Sequence, residues 1–130
     1  MQNLAANTPF TVTMAIQGMQ TGDFVNAEKS YFAAPQALNA QNQIIGHSHF
    51  VIQAIPSLTS TAPLDPNTFA FFLGLNAPAA NGQLTGSVSK GLPAGTYRIA
   101  SINTAANHQP VLGPVAQHGS FDDMVYVCLI

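Results

Sequence analysis

Four histidines carry most of the chemistry in this 130-residue sequence: His47 and His49 flank Ser48, His108 stands in Asn107-His108-Gln109-Pro110, and His118 in Gln117-His118-Gly119. Imidazole is largely neutral at pH 7 and ligates copper and zinc through either ring nitrogen. Two imidazoles on one strand face, joined by a third from a loop, make a workable ligand set for such an ion. The sequence therefore offers a copper or zinc site built on His47 and His49 and completed by His108 or His118. The competing arrangement joins Ser48, Gln53 and the histidines in a hydrogen-bonded polar face or an interface.

Other chemistries are poorly provided for. Gly-x-Ser-x-Gly is absent, and Gly46-His47-Ser48-His49 lacks the strand-to-helix elbow that exposes a nucleophilic serine. Cys128 lies in an apolar run and reads as a small hydrophobe rather than an activated thiolate. Asp122 and Asp123 point to opposite faces of an extended chain, which suits a turn cap or a partner for Arg98 better than a paired-carboxylate hydrolase. Phosphate-cradling glycine loops are missing, and Trp is absent, which weakens a sugar-binding platform. A non-enzymatic protein is the expectation.

Charge narrows the partners. Only 6% of residues are charged, against roughly 25% in typical domains, and the formal net charge is −2. Three cations cannot build a basic patch, so neither nucleic acid nor a lipid surface is an expected partner. No run approaches the ~18 apolar residues of a membrane-spanning helix, so no membrane insertion is expected. The start, MQNLAANTPF, has no secretory leader pattern, and the single cysteine forbids an intrachain disulfide. Polarity supplied by Gln, Asn, Ser and Thr rather than by charge points to a secreted, extracellular protein.

The elements that must position the histidines are strands. Phe10, Val12, Met14 and Ile16 alternate with Thr11 and Thr13, the signature of a half-buried strand. Residues 19 to 42 show no lasting period; Tyr31 and Phe32 are expected to anchor this connection to the core. The longest strand runs from Gln43 to Ile55 and is closed by Pro56. Ile44, Phe50, Ile52 and Ala54 take one face; His47, His49, Val51 and Gln53 take the other, with the two imidazoles roughly 6.5–7 Å apart along the axis.

Asp65-Pro66 resembles a helix entry, so a short helix through Leu73 is expected, with a strand as the alternative. Asn81-Gly82 and Pro93-Ala94-Gly95 are turns before strands at Gln83–Ser89 and Thr96–Asn103. Val111–Ala116 is a broken edge segment. Met124–Ile130 is an apolar strand, buried on both faces or paired with a second subunit. The expected fold is all-β: a β-sandwich or small barrel with one short helix, in a single domain over residues 1–130.

Several segments carry a resemblance: Ile45-Gly46-His47-Ser48-His49-Phe50-Val51-Ile52, Asp65-Pro66 with Phe69-Ala70-Phe71-Phe72, Leu92-Pro93-Ala94-Gly95-Thr96-Tyr97-Arg98, Ser101 to Pro110, and Gln117 to Tyr126. They resemble a family of small secreted fungal proteins that includes an immunomodulatory protein of a bracket mushroom. That resemblance implies a self-associating, dimeric β-domain that presents a surface to an immune-cell receptor, with no catalytic residues. It also implies cysteines in longer relatives at the positions of Ala100 and Met124, so that this chain lacks a disulfide those proteins carry.

Three functions follow as expectations. The first is a secreted, non-enzymatic fungal effector or binding protein with immunomodulatory activity, a homodimer through its C-terminal strand. The second is a metal protein using His47, His49, His108 and His118. The third is a cell-wall module whose partner is a glycan.

Overall fold

The computed structural model describes residues 2–130 and centres on β4 (Ile44–Ile55), whose period-two sequence sorts its side chains between two environments. Ser48, Phe50 and Ile52 are fully buried on the even face, while His47, His49, Val51 and Gln53 occupy the other. β4 pairs antiparallel with β7 (Gly95–Ala105) from Gly46 opposite Ala105 to Ile55 opposite Thr96. Its other edge is shared: β3 (Met19–Thr21) runs parallel beside residues 44–46, and β5 (Phe71–Leu75) antiparallel beside residues 48–52. β8 (Met124–Leu129) pairs with β7, and β1 (Gln2–Leu4) runs parallel to β8.

The second layer is a two-stranded ribbon of β2 (Phe10–Ala15) and β6 (Gln83–Val88). Leu84 and Val88 point inward and meet Phe50, Ile52, Leu75, Ile99 and Val127, which form the core. Gly86 lies at the contact between layers: a Cβ there would stand 2.5 Å from Leu73 and 2.6 Å from Phe50. The chain enters β6 through a turn at Asn81 and Gly82, both with positive φ, closed by the pairing of Ala80 with Gln83, as the Asn-Gly pair predicts.

This is a small all-β protein with one short helix, and among the described residues the strands do not close into a barrel. The helix is not where the sequence placed it. Asp65 caps a single turn, accepting from Asn67 N at 2.9 Å and, through its carbonyl, from Thr68 N at 3.1 Å. The chain then extends as β5, because Phe71 and Leu73 alternate inward with Phe72 outward and β4 offers a free edge. The helix is instead α1 (Ala27–Ser30), entered through Asn26, whose Oδ1 accepts from Glu28 N.

Three further expectations need correction. Val111–Ala116 is not a strand; the pairing there reduces to a bridge between Thr104 and Pro110. Tyr31 and Phe32 do not anchor in the core but stay half exposed and stack on each other, ring centres 4.3 Å apart. β8 is not buried on both faces. Val127 and Leu129 are buried, but Met124, Val125 and Tyr126 are 51%, 51% and 43% exposed, because the ribbon stops short of this end of the sheet.

Candidate metal centre

His47 and His49 leave β4 on the same side, and His108 reaches them from the turn that follows β7. That turn is tight: Ala105 N donates to Gln109 O at 2.9 Å and His108 N to Ala105 O at 2.8 Å. His108 has φ of 68°, a left-handed conformation uncommon outside glycine, and it turns the imidazole back over the sheet. Ring centres lie 4.7 Å apart for His47 and His49 and 4.6 Å for His47 and His108, both edge to face. One ring nitrogen from each of the three histidines lies within 4.8 Å of the others.

Backbone carbonyls set the tautomers. His47 Nδ1 stands 3.2 Å from Asp23 O, His49 Nδ1 3.3 Å from Ile102 O, and His108 Nε2 2.8 Å from Val25 O. A carbonyl only accepts, so each of those nitrogens carries the proton. The lone pairs then fall on Nε2 of His47, Nε2 of His49 and Nδ1 of His108. An imidazole whose second nitrogen donates to a carbonyl is the usual posture of a metal-ligating histidine.

The scaffold behind this is close-packed. Gly46 brings β4 so near β7 that a Cβ there would stand 2.0 Å from Thr104 O. Its carbonyl accepts from Asp23 N at 3.1 Å, and Val25 N donates to Ala106 O at 3.0 Å, which fixes the segment holding two of the three carbonyls. Thr104, opposite His47, places Oγ1 3.3 Å from His47 Nε2. Phe24, Phe72 and Tyr31 flank His47, His49 and His108 with ring centres 5.8, 5.2 and 5.9 Å away, so an aromatic rim surrounds the imidazoles.

Burial favours the neutral imidazole at His47 and His49. Burial, then the like charges of His49 and His108, lowers His47 to about 4 against the pull of Asp23 O. Burial likewise lowers His49, partly offset by its bond to Ile102 O. A copper or zinc ion takes imidazole in its neutral form.

His118 is not part of the group. It is exposed on the chain before β8, where its ring stacks on Phe121 at 4.4 Å and its Nδ1 meets Gly119 O at 2.6 Å. Ser48 also lies apart from the imidazoles, because it sits on the even face and donates to Asn103 Oδ1 at 2.7 Å. Gln53 shares their face but ties to Arg98, which donates to its Oε1 at 2.7 Å, rather than to a histidine. Asp122 does not hold Arg98; it accepts from Ser101 Oγ and Asn103 N. Sequence reasoning missed Asp23 and Val25 altogether, since a backbone carbonyl leaves no mark in residue identity.

The family model for the CLU5d N-terminal domain matches residues 1–129. A curated relative, pathogenicity cluster 5 protein d of Colletotrichum graminicola, is 46% identical over 123 residues, which cover 93% of this chain and 26% of the relative. The chain thus spans about a quarter of the length of that relative. No solved structure matches it. These matches overturn the resemblance to a mushroom immunomodulatory family: the segments that carried it, from Ile45 to Ile52, from Asp65 to Phe72 and from Leu92 to Tyr126, lie inside a match of a different fungal family. The chain belongs to the CLU5d N-terminal domain family, found in a fungal pathogenicity-cluster protein.

Proposed function

We propose that this domain is a non-enzymatic binding module of a fungal pathogenicity-cluster protein, and that it works by holding one copper or zinc ion on His47, His49 and His108. The observation that carries this reading is the trio of imidazoles, each giving its proton to a backbone carbonyl and leaving a lone pair for a shared ion. An ion bound at ~2.0–2.1 Å to three nitrogens in tetrahedral geometry spaces them about 3.3 Å apart. Ligation therefore draws the rings together and ties β4 to the turn after β7. A fourth position is left for water or for a donor atom of a partner. The low charge of the chain favours action outside the cell.

The test is elemental analysis of protein purified without a histidine tag, followed by titration of metal-stripped protein with copper and zinc. One equivalent bound, with a melting temperature that rises with metal, supports the module. Stripped protein whose melting point is unmoved by either metal at neutral pH overturns it. The non-enzymatic part fails if the loaded protein turns over ester, glycoside or peptide substrates, and if that activity disappears in His108→Ala.

A further inference from the structure

The geometry points to a second binding site, independent of the imidazoles: β2 presents a free edge that takes an extended, cation-bearing peptide as an added strand. Ile16 N donates to Gly82 O at 2.9 Å, so alternation turns the main-chain groups of Phe10, Val12 and Met14 toward β6. Those of Thr11, Thr13 and Ala15 then point the other way, and among the described residues no strand pairs with them.

That edge borders a cleft of about 420 Å³, lined by Val12–Ala15 on one side and floored by Ile99, Ser101, Asn103 and Val125 of the large sheet. The cleft arises from a mismatch of layers. The two-stranded ribbon packs on Phe50, Ile52, Ile99 and Val127 but does not cover the start of β8, where Met124, Val125 and Tyr126 are exposed. Val125 therefore points into the gap and is 51% exposed, although strand alternation places it on the inner face with Val127 and Leu129. One more strand beside β2 would complete the layer.

Proteins guard exposed edges with Lys, Pro or a bulge. The sequence FTVTMA of β2 has neither residue and pairs with β6 in unbroken register. Main-chain bonds along such an edge supply affinity, and pockets for alternate side chains supply selection. Selection here is electrostatic. Asp122 and Asp123 line the cleft, and none of its lining residues is a cation. The strand that a second copy would offer from its own β2 also carries no cation, so self-pairing leaves those carboxylates unmatched. The occupant is therefore a partner's extended segment, with small apolar residues facing Val125 and a Lys or Arg facing Asp122 and Asp123.

The probe is acetyl-Val-Thr-Val-Thr-Val-Lys-amide, titrated to millimolar concentration against the isotope-labelled chain. Binding should shift and protect the amides of Thr11, Thr13 and Ala15. Replacing the peptide's Lys by Glu should weaken it at least tenfold, and N-methylating alternate peptide bonds should abolish it without any change in the protein. Thr13→Pro, which removes an outward N–H that β6 does not use, should abolish it as well. The site is overturned if no shifts appear at β2, if methylated and unmethylated or Lys and Glu peptides bind alike, or if the chain alone dimerises through Thr11–Ala15. Each of these outcomes leaves the metal reading untouched.

Discussion

The ring of His108 donates from Nε2 to the carbonyl oxygen of Val25, at 2.8 Å and across 83 positions of sequence. This bond aligns the third imidazole with the two on β4 and so makes the centre depend on a loop that itself carries no ligand side chain. His108→Ala should weaken copper or zinc binding at least about 10-fold, the low end of what loss of a supporting group alone costs. His118→Ala should leave affinity unchanged, since that ring packs on Phe121 outside the cluster. Calorimetric titration of the two variants, side by side, separates these outcomes.

Acid should destabilise the metal-free protein. His47 is lowered to about 4, so between that value and its ordinary 6.5 the unfolded chain binds a proton that the folded chain refuses. Stability contributed by the neutral ring is complete above pH 6.5 and is lost as pH falls toward 4. At 1.36 kcal/mol per unit the loss reaches at most about 3 kcal/mol. The groups facing His47 are the imidazoles of His49 and His108, the ring of Phe24, the Thr104 hydroxyl and the Asp23 carbonyl, and the two neighbouring imidazoles add to the lowering after burial. Denaturant melts from pH 7 to 4 should follow this slope, and His47→Gln should flatten it.

Gly46 is a packing requirement of the centre. The Cβ of Gly46→Ala would meet Thr104 O at 2.0 Å, a backbone atom that cannot swing aside. Separating β4 from β7 there should cost about 2–3 kcal/mol and reduce metal affinity. Thermal denaturation of the stripped variant measures the first effect, and metal titration the second.

Ala100 and Met124 face each other across β7 and β8. The neighbouring bond from Ser101 N to Asp123 O makes theirs the closer, non-hydrogen-bonded kind of pair, with Cα atoms about 4.5 Å apart. That separation is within disulfide range. The double variant Ala100→Cys, Met124→Cys should oxidise to a monomeric crosslinked form and gain about 3 kcal/mol over its reduced state. Non-reducing mass spectrometry and paired melts under oxidising and reducing conditions check it.

Much of the fold was legible because strands buried on one face must alternate. Phe10 to Ile16 and Ile44 to Ile55 sort their side chains as that rule requires, and Asn81-Gly82 turns where its tolerance of positive φ demands. The segment from Asp65 to Leu73 misled because a real cap at Asp65 closes one turn, which is all that local hydrogen bonding can enforce. Beyond it the free edge of β4 decided the outcome. Met124 to Tyr126 misled in the opposite way: their apolar character predicts burial, yet the covering layer ends before reaching them.

Residue identity alone determined that His47 and His49 share a face, because two positions along a pleated strand return to the same side. It also determined that the chain carries three cations, Lys29, Lys90 and Arg98, among 130 residues. Which further histidine joins them was decided only in three dimensions. His108 and His118 are equivalent in sequence, both imidazoles in polar loop segments, but the turn after β7 closes over the sheet while the chain before β8 runs along its exposed end. The proton positions were decided there too, by carbonyls of Asp23, Val25 and Ile102 that long-range pairing brings beside the rings. A carbonyl's position follows from chain path and not from the side chain it precedes.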